Sequence, residues 1–589
     1  MVFTPEQEAI LRRFFTDVKG DVFAIVNVPE VVKGTLFSRY SRTAKDLRSL
    51  FLEDFYSSET LASLFGKGDD GKTPIDVEKA EEFYERVLVG YGDDSVAELG
   101  GAHVAIENVS ILATKSIEEH RLGLSPLEKS TRYVYFDRKD ENGYLYFKDP
   151  KIMASKHREL YLATNDALFD AYATIVRDIQ PVLHGLNLCD PKEASCKASI
   201  RAKACDLARG LLPLSTLTNM GVFGNGRAFE YLLTNLLNDP LEEARRVGLS
   251  MDLNLRPVIG AFVKRATGER GDKYREYLTD TEFGLSPLAN FSAEGTGAGS
   301  VSVELVGSDD DAADKLITAA IYGRSGLSYV QAREVVAQME DAEKEEVLRQ
   351  ATCQRKSRHH KPPRFFEEPY YCFDVTADWG VYKDLQRHRV LTRYKQVFTT
   401  ELGYVVPEEI VAAGFEKVYR DAMDRATEAY ATIKQDFPYE AQYVVTHGSL
   451  NRFYMKLNLR ALVHFVELRS SPQGHPAYRK VAQMMAAAVK AKHPLIGKYA
   501  FPFVDDNDYE LERLQAFRKL EIKATAAGVE AFKEDDLGAD MKRALGSTLV
   551  AAVKKMNELG YEPEECIRLA ALAQEQIRRS SEASKRVSE

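Results

Sequence analysis

Apolar residues recur at helical spacing along most of the chain, and short β-branched runs interrupt them. Thr4-Pro5-Glu6, a capping residue followed by proline, predicts a helix over residues 1–17. The run DVFAIVNV predicts a strand over residues 21–28 that ends before Pro29. Amphipathic patterns predict helices over 42–65 and 78–90, after which a glycine-bearing turn from Gly90 to Glu98 enters an apolar stretch over 101–117. Beyond the polar loop DRKDENG, helices are predicted over 151–179 and 191–212, the second closing on Arg209-Gly210-Leu211-Leu212-Pro213. A later helix sets Val247, Met251 and Leu255 on one face and stops at Pro257. Residues 270–300, ending in EGTGAGS, read as a linker.

The plan then repeats. VSVELVG predicts a strand, residues 310–350 predict helices, and a helix with Val481, Met485 and Val489 on one face ends before Pro494. The interval from Glu98 to His120 matches that from Glu367 to His388 to within one residue. Asn225 to Pro257 matches Asn458 to Pro494 to within four. Between the His and the Asn the first copy is longer, most simply by an insertion within 138–190. The expected fold is therefore α/β: two tandem units, each a mixed sheet under long helices, spanning 1–269 and 301–504. A polar, helical extension over 505–589 follows and reads as an arm or cap.

At 589 residues the chain is too long for one ordinary domain. A net charge of -10 and a pI near 5.8 argue against an extended nucleic-acid track or a membrane-surface role. No window approaches the apolar length of a membrane span, and the first residues lack the core of a signal peptide, so a cytoplasmic location is expected. Cys189, Cys196, Cys205, Cys353, Cys372 and Cys566 show neither CxxC spacing nor a disulfide framework, and read as reduced thiols.

Candidate chemistry gathers in EEHRLGLSPLEKSTRYVYFD, where Glu119-His120-Arg121 is followed by Glu128, Ser130, Arg132 and Tyr133. A cationic helix end followed by a carboxylate, a hydroxyl and an arginine suits an anionic, planar ligand, because a guanidinium offers a bidentate fork to phosphate or to a uracil-like edge. The second copy carries Arg387-His388-Arg389, and each copy has an Asn-x-Arg: Asn225-Gly226-Arg227 and Asn458-Leu459-Arg460. Bland readings stand beside these. The asparagines could be helix caps, His464 a core histidine, Glu98 and Glu367 first-turn carboxylates, and KSRHHK a solvated loop.

In this order the residues resemble the flavin-dependent thymidylate synthases of the ThyX type. The resemblance covers most of 20–265 and 300–503, as a tandem pair, and the departures are complementary. The first copy keeps Glu128, Ser130, Arg132 and Arg209 but has Glu119 at the first triplet position and Leu236 where a late arginine is expected. The second keeps Glu367, Arg387, His388, Arg389, Asn458, Arg460 and Arg469 but has lost the Glu-x-Ser-x-Arg segment, and Gln442 replaces the early arginine.

The resemblance implies reductive methylation of dUMP to dTMP with methylenetetrahydrofolate, FAD and NADPH at one composite site between the copies. It assigns Glu128, Ser130, Arg132, Arg209 and Arg469 to dUMP, with Ser130, Arg132 and Arg469 in the catalytic role. Glu367, Arg387, His388, Arg389, Asn458, Arg460 and His464 fall to the flavin, and no metal is implied. It further implies that the chain pairs as a homodimer forming a pseudo-tetramer. Two alternatives stay open: an inactive protein that binds nucleotide or flavin, and a flavoenzyme acting on another pyrimidine.

Overall fold

The computed structural model describes residues 3–41, 43–53, 97–290 and 299–526. The predicted helix over 78–90, most of that over 42–65, most of the turn before Glu98 and residues 527–589 lie outside the described residues.

The apolar stretch over 101–117 divides in two at a serine. Strand β1 (Gly101–Ser110) gives way to helix α1 (Ile111–Glu118) where the Ser110 hydroxyl accepts from the Ala113 N–H at 2.9 Å. An accepting side chain satisfies one of the orphan amides of a helix start, so the switch is fixed locally. The first repeat continues with β2 (Leu124–Glu128), α2 (Arg158–Gly185), α3 (Ala194–Ala208), β3 (Leu217–Asn225), α4 (Gly226–Leu237) and α5 (Glu242–Val263). The second repeat has β4 (Ser302–Ser308), β5 (Tyr370–Asp378), α6 (Trp379–Leu385), β6 (Thr392–Lys395), α7 (Glu416–Ile433), β7 (Leu450–Asn458), α8 (Leu459–Arg469) and α9 (Pro476–Lys492). Asp378 caps α6 through the Val381 N–H at 3.0 Å, as Ser110 caps α1.

The sheets run β1-β3-β2 and β4-β5-β7-β6, so the second is the first plus one edge strand. Gly101 lies opposite Asn225, and Tyr370 opposite Asn458. Every pairing in these two sheets is antiparallel, where a mixed sheet is expected from sequence.

Matching Asn225 to Asn458 superposes Pro213 on Thr446, Leu212 on Val445, Leu214 on His447, Gly210 on Tyr443 and Ser215 on Gly448. The backbone bonds respect this match. Leu214 N donates to Val445 O at 2.8 Å and His447 N to Leu212 O at 3.0 Å; Gly448 N donates to Gly210 O at 2.8 Å and Ser215 N to Tyr443 O at 3.1 Å. Each bond recurs with the repeats exchanged, which defines a local two-fold axis at the Pro213–Thr446 pair. Gly448 is required there, since a Cβ on it would come within 2.8 Å of the Tyr419 hydroxyl oxygen. Around the axis both repeats share one hydrophobic core, with Tyr172, Leu211 and Phe229 in the same cluster as Trp379, Tyr443 and Phe465.

Several expectations need correction. The first helix covers only Pro5–Leu11, and residues 21–28 form no strand, only a single bridge from Ile25 to Phe15. Phe14, Phe15, Val18 and Val28 instead bury themselves with Leu36, Leu47 and Phe51 in a small separate cluster. The region read as linker begins as a helix, Glu269–Leu285. Cys189 and Cys196 form a disulfide, with Cα atoms 5.7 Å apart, and so are not free thiols. Cys205, Cys353 and Cys372 are free, and Cys566 lies outside the described residues. The extra length of the first repeat lies partly beyond 190, because the Asn225–Asn458 match sets the turn Glu440–Val444 against residues 207–211 and no helix comparable to α3 stands between α7 and that turn. Of the extension, α10 (Leu514–Ala526) is described. Among the described residues no helix is long and apolar enough to cross a membrane.

Candidate active site

Helices α1 and α6 leave their caps in the same way and bring Lys115 and Lys383 to equivalent positions beside the axis. Both ammonium groups meet one carboxylate: Glu128 accepts from Lys115 Nζ at 3.1 Å and from Lys383 Nζ at 2.9 Å. Burial alone would raise the pKa of Glu128, but the two lysines outweigh it and hold it at about 2. Lys115 also pairs with Glu118 at 2.5 Å. The structure therefore places Glu128 in a buried tie between the repeats, with both of its oxygens engaged.

One helical turn before the Arg387 triplet, Asp384 accepts from Arg209 Nη1 of the first repeat at 3.2 Å. Burial opposes its ionisation, yet Arg209, Arg132, Arg387 and Arg469 keep it well below the usual carboxylate range. Asp206, one turn before Arg209, takes Arg132 in a fork at 3.0 and 3.1 Å. Arg132 Nη1 donates to the Tyr478 hydroxyl at 3.2 Å, and the Tyr478 ring lies 5.5 Å from the Arg132 guanidinium and 5.6 Å from that of Arg469. Arginines from both repeats thus converge on one tyrosine. Ser130 sits at the edge of this cluster, its Oγ accepting from the Arg132 N–H at 3.2 Å.

Helix α8 links this cluster to a second group of residues, because it carries Arg460 and His464 near one face in its first turns and Arg469 at its end. At its start Asn458 caps the Ala461 N–H at 2.8 Å, and Arg460 pairs with Glu367 at 2.9 Å. At its end Arg469 Nε donates to His388 Nε2 at 2.9 Å, and the His388 ring packs 4.4 Å from Phe465. His464 lies 5.8 Å from His388. Burial, then Arg469, His464, Arg121 and Arg393, keep His388 neutral, consistent with its accepting role. Arg389 reaches across to the first repeat, donating to Leu124 O at 3.2 Å. Lys361 and Arg358 of the basic loop lie close enough to His464 to depress its pKa further, after burial.

Arg209 Nη2 and Arg387 Nε are buried and have no hydrogen-bond partner among the described residues, and the same holds for Nε and Nη2 of the neighbouring Arg121. Gly380 makes room for the first, since a Cβ there would lie 2.9 Å from Arg209 Nη2. Beside Arg209 opens a cavity of about 180 Å³, lined also by Asp206, Asp378, His447 and His475. Unpaired buried donors in a cationic cluster call for an anion.

The symmetry-related position is built differently. Glu119 stands at the place of Arg387, Leu236 at that of Arg469, Lys395 at that of Glu128 and Gln442 at that of Arg209. Lys395 pairs with Glu119 at 3.4 Å, and the Tyr382 hydroxyl donates to the same carboxylate at 3.2 Å. Gln442 spends its amide on the Phe398 N–H and Tyr439 O. These groups satisfy one another. The Asn225–Arg227 end keeps its form, with Arg227 on Glu98 at 2.9 Å, but both side chains there are about half exposed.

Asp206, Asp384, Tyr478 and the two lysines escaped the sequence reading. A carboxylate one turn before an arginine was a usable signal for the first two; nothing local pointed to Tyr478.

The family described as thymidylate synthase complementing protein matches residues 53–259 and again residues 305–495. The chain belongs to that family. It carries the thymidylate synthase complementing unit twice, as a tandem duplication. Among its relatives, the UPF0159 protein of Chlamydia pneumoniae is 43% identical over 525 residues, covering 88% of this chain and 98% of that protein. The UPF0159 protein of Thermoplasma acidophilum is 32% identical over 524 residues, covering 84% and 99%. The chain is also similar to the structure of a UMP/dUMP methylase, PolB from Streptomyces cacaoi bound with 5-Br dUMP, at 20% identity and a TM-score of 0.26, covering 34% of this chain and 93% of that one.

One consequence of this family unit's buried histidines can be measured. His388, His447 and His475 are held well below 6.5, in each case first by burial. A histidine that resists protonation only when folded contributes stability above its unfolded pKa and loses it as pH falls below that value. Asp378 opposes this, because burial raises it to about 6, so it gains a proton in the folded state in the same window. An unfolded histidine is on average about three-quarters protonated over this pH unit, so three of them cost about 1 kcal/mol each and, less under 1 for Asp378, leave a net loss of about 2 kcal/mol between pH 6.5 and 5.5. Denaturant titrations at the two pH values check this; equal stability would contradict it.

Proposed function

We propose that the chain is a FAD-dependent thymidylate synthase that methylates dUMP reductively to dTMP, with methylenetetrahydrofolate and NADPH as co-substrates, at one composite site per chain. The observation that carries this reading is the convergence of Arg132 and Arg209 from the first repeat with Arg387 and Arg469 from the second, two of them with orphaned buried N–H groups. Net positive charge in a desolvated cluster suits a nucleotide phosphate and polarisable carbonyl oxygens.

In this reading Arg132, Arg209 and Arg469 hold the phosphate and the uracil oxygens, and electron withdrawal there makes the ring a better hydride acceptor. Ser130 orients the ring beside them. Asp384 balances the arginines before substrate arrives. Arg387, Arg389, His388 and His464, with Glu367, Arg460 and Asn458, would hold the flavin, and the unpartnered Arg387 Nε fits its anionic part. When bound, the flavin supplies the hydride. His388, neutral and accepting from Arg469, aligns that arginine without adding charge. A catalytically inactive binding protein is the second reading, and the self-satisfied groups around Glu119 favour it for that half alone.

The test is the visible spectrum of the protein reconstituted with FAD, recorded with and without dUMP, together with dUMP titration calorimetry. A flavin band that shifts on adding dUMP, at one dUMP per chain, is expected. Bound flavin with no response to dUMP would redirect the search to another pyrimidine, and no bound flavin would leave the binding-protein reading.

A further inference from the structure

The family match ends at residue 495, yet the chain beyond it reaches the site. Arg513, 2% exposed, donates through Nη2 to Asp206 Oδ2 at 2.6 Å, and its guanidinium lies 5.1 Å from the Tyr133 ring. Asp206 is the carboxylate that holds Arg132 in its fork. The same segment is fastened to the first repeat on either side of Arg513, by Glu512 to Lys203 at 2.8 Å and by Arg518 to Glu193 at 2.9 Å. It starts from the second repeat, where Asp505 N donates to Ser470 Oγ at 3.1 Å. The segment thus crosses from one repeat to the other and ends on the arginine-bearing edge of the site.

We infer that Arg513 is a positioning residue for substrate binding: by sharing Asp206 it leaves Arg132 with uncompensated positive charge on its Nη1 edge. One carboxylate cannot neutralise two guanidiniums. With Arg513 present, the Arg132–Asp206–Arg513 group is net cationic, and the Nη1 edge of Arg132 meets the neutral Tyr478 hydroxyl, beside Arg469. Without Arg513, Asp206 would cancel Arg132 outright, and an anionic ligand would meet a neutral pair. The field of the cluster, and not merely its shape, then depends on residues outside both repeats.

This inference rests on the thymidylate-synthase reading, and the experiment separates the two. The dUMP dissociation constant of the full-length, FAD-reconstituted protein is measured at several salt concentrations for the wild type and for R513M, R513K and R518M. R513M is expected to weaken dUMP at least tenfold and to flatten the salt dependence, because one cation has left the site. R513K, which keeps the charge, should stay within about threefold of the wild type, so a folding defect in the methionine variant cannot account for the pattern. R518M loosens the same segment without touching Asp206, and its salt dependence should match the wild type. Equal dUMP affinity in R513M and wild type, or equal loss in R513M and R518M, would overturn the inference. A wild type that binds no dUMP would overturn it together with the reading beneath it.

Discussion

Replacing Arg469 with alanine should lower kcat/KM for dUMP by at least about a hundredfold, on the scale of losing one electrostatic donor from an active site. Arg469 is well placed for so large an effect. Its Nε fixes His388, its guanidinium lies over Tyr478, and its pKa is lowered, first by burial, so its charge sits in a desolvated setting where it counts most. The informative control is Glu119→Ala, at the place of Arg387 in the other half. Glu119 meets only Lys395 and Tyr382 among the site groups, and both contacts lie in the self-satisfied cluster. Its loss should change turnover less than threefold. Comparable falls in both variants would mean two working sites per chain and would sink the composite assignment.

Glu128→Ala should destabilise the chain by about 3 to 5 kcal/mol, the usual cost of removing one partner from a buried ion pair. The penalty arises from what remains: Lys115 and Lys383 would face each other across the axis without the anion that joins them. Because Lys115 and Lys383 come from different repeats, the loss should loosen the contact between the halves before it unfolds either. If uncompensated charge is the cause, the double variant with Glu128→Leu and Lys383→Met, which leaves Lys115 paired with Glu118, should recover most of the stability, since apolar replacement of a whole buried pair is often neutral or better. Denaturation midpoints of the three proteins decide this. A double variant as unstable as the single one would show that shape, not charge, is what Glu128 supplies.

Much of this architecture could be read from the chain itself. The doubled order of motifs already pointed to two units in tandem, and Asn458 caps α8 as its residue type dictates, whereas α5 does not stop at Pro257 as expected but runs on to Val263 with non-helical backbone only at Ile259. The errors have physical reasons. DVFAIVNV is β-branched but finds no partner strand, so Val22 is left 90% exposed while Val28 turns into a helical cluster. The helix Glu269–Leu285 hid behind its polarity, because Gly271 is its only buried residue and charged pairs such as Lys273 with Glu269 line its surface. Tyr478 and Arg513 were beyond reach because each meets its partner across a long sequence separation, and no periodicity encodes such contacts.

The two-fold axis at Pro213 and Thr446 has a bearing on how such a site can change. In a symmetric pair of identical subunits every substitution is made twice, once on each side of the axis. A lysine in place of Glu128, or a glutamate in place of Arg387, would then stand on both sides at once. With both halves on one chain, Lys395 and Glu119 occupy those places on one side only, and the opposite side keeps its arginines. Covalent linkage thus lets a pair of charge reversals stand on one side alone, where the two new groups neutralise each other as a salt bridge.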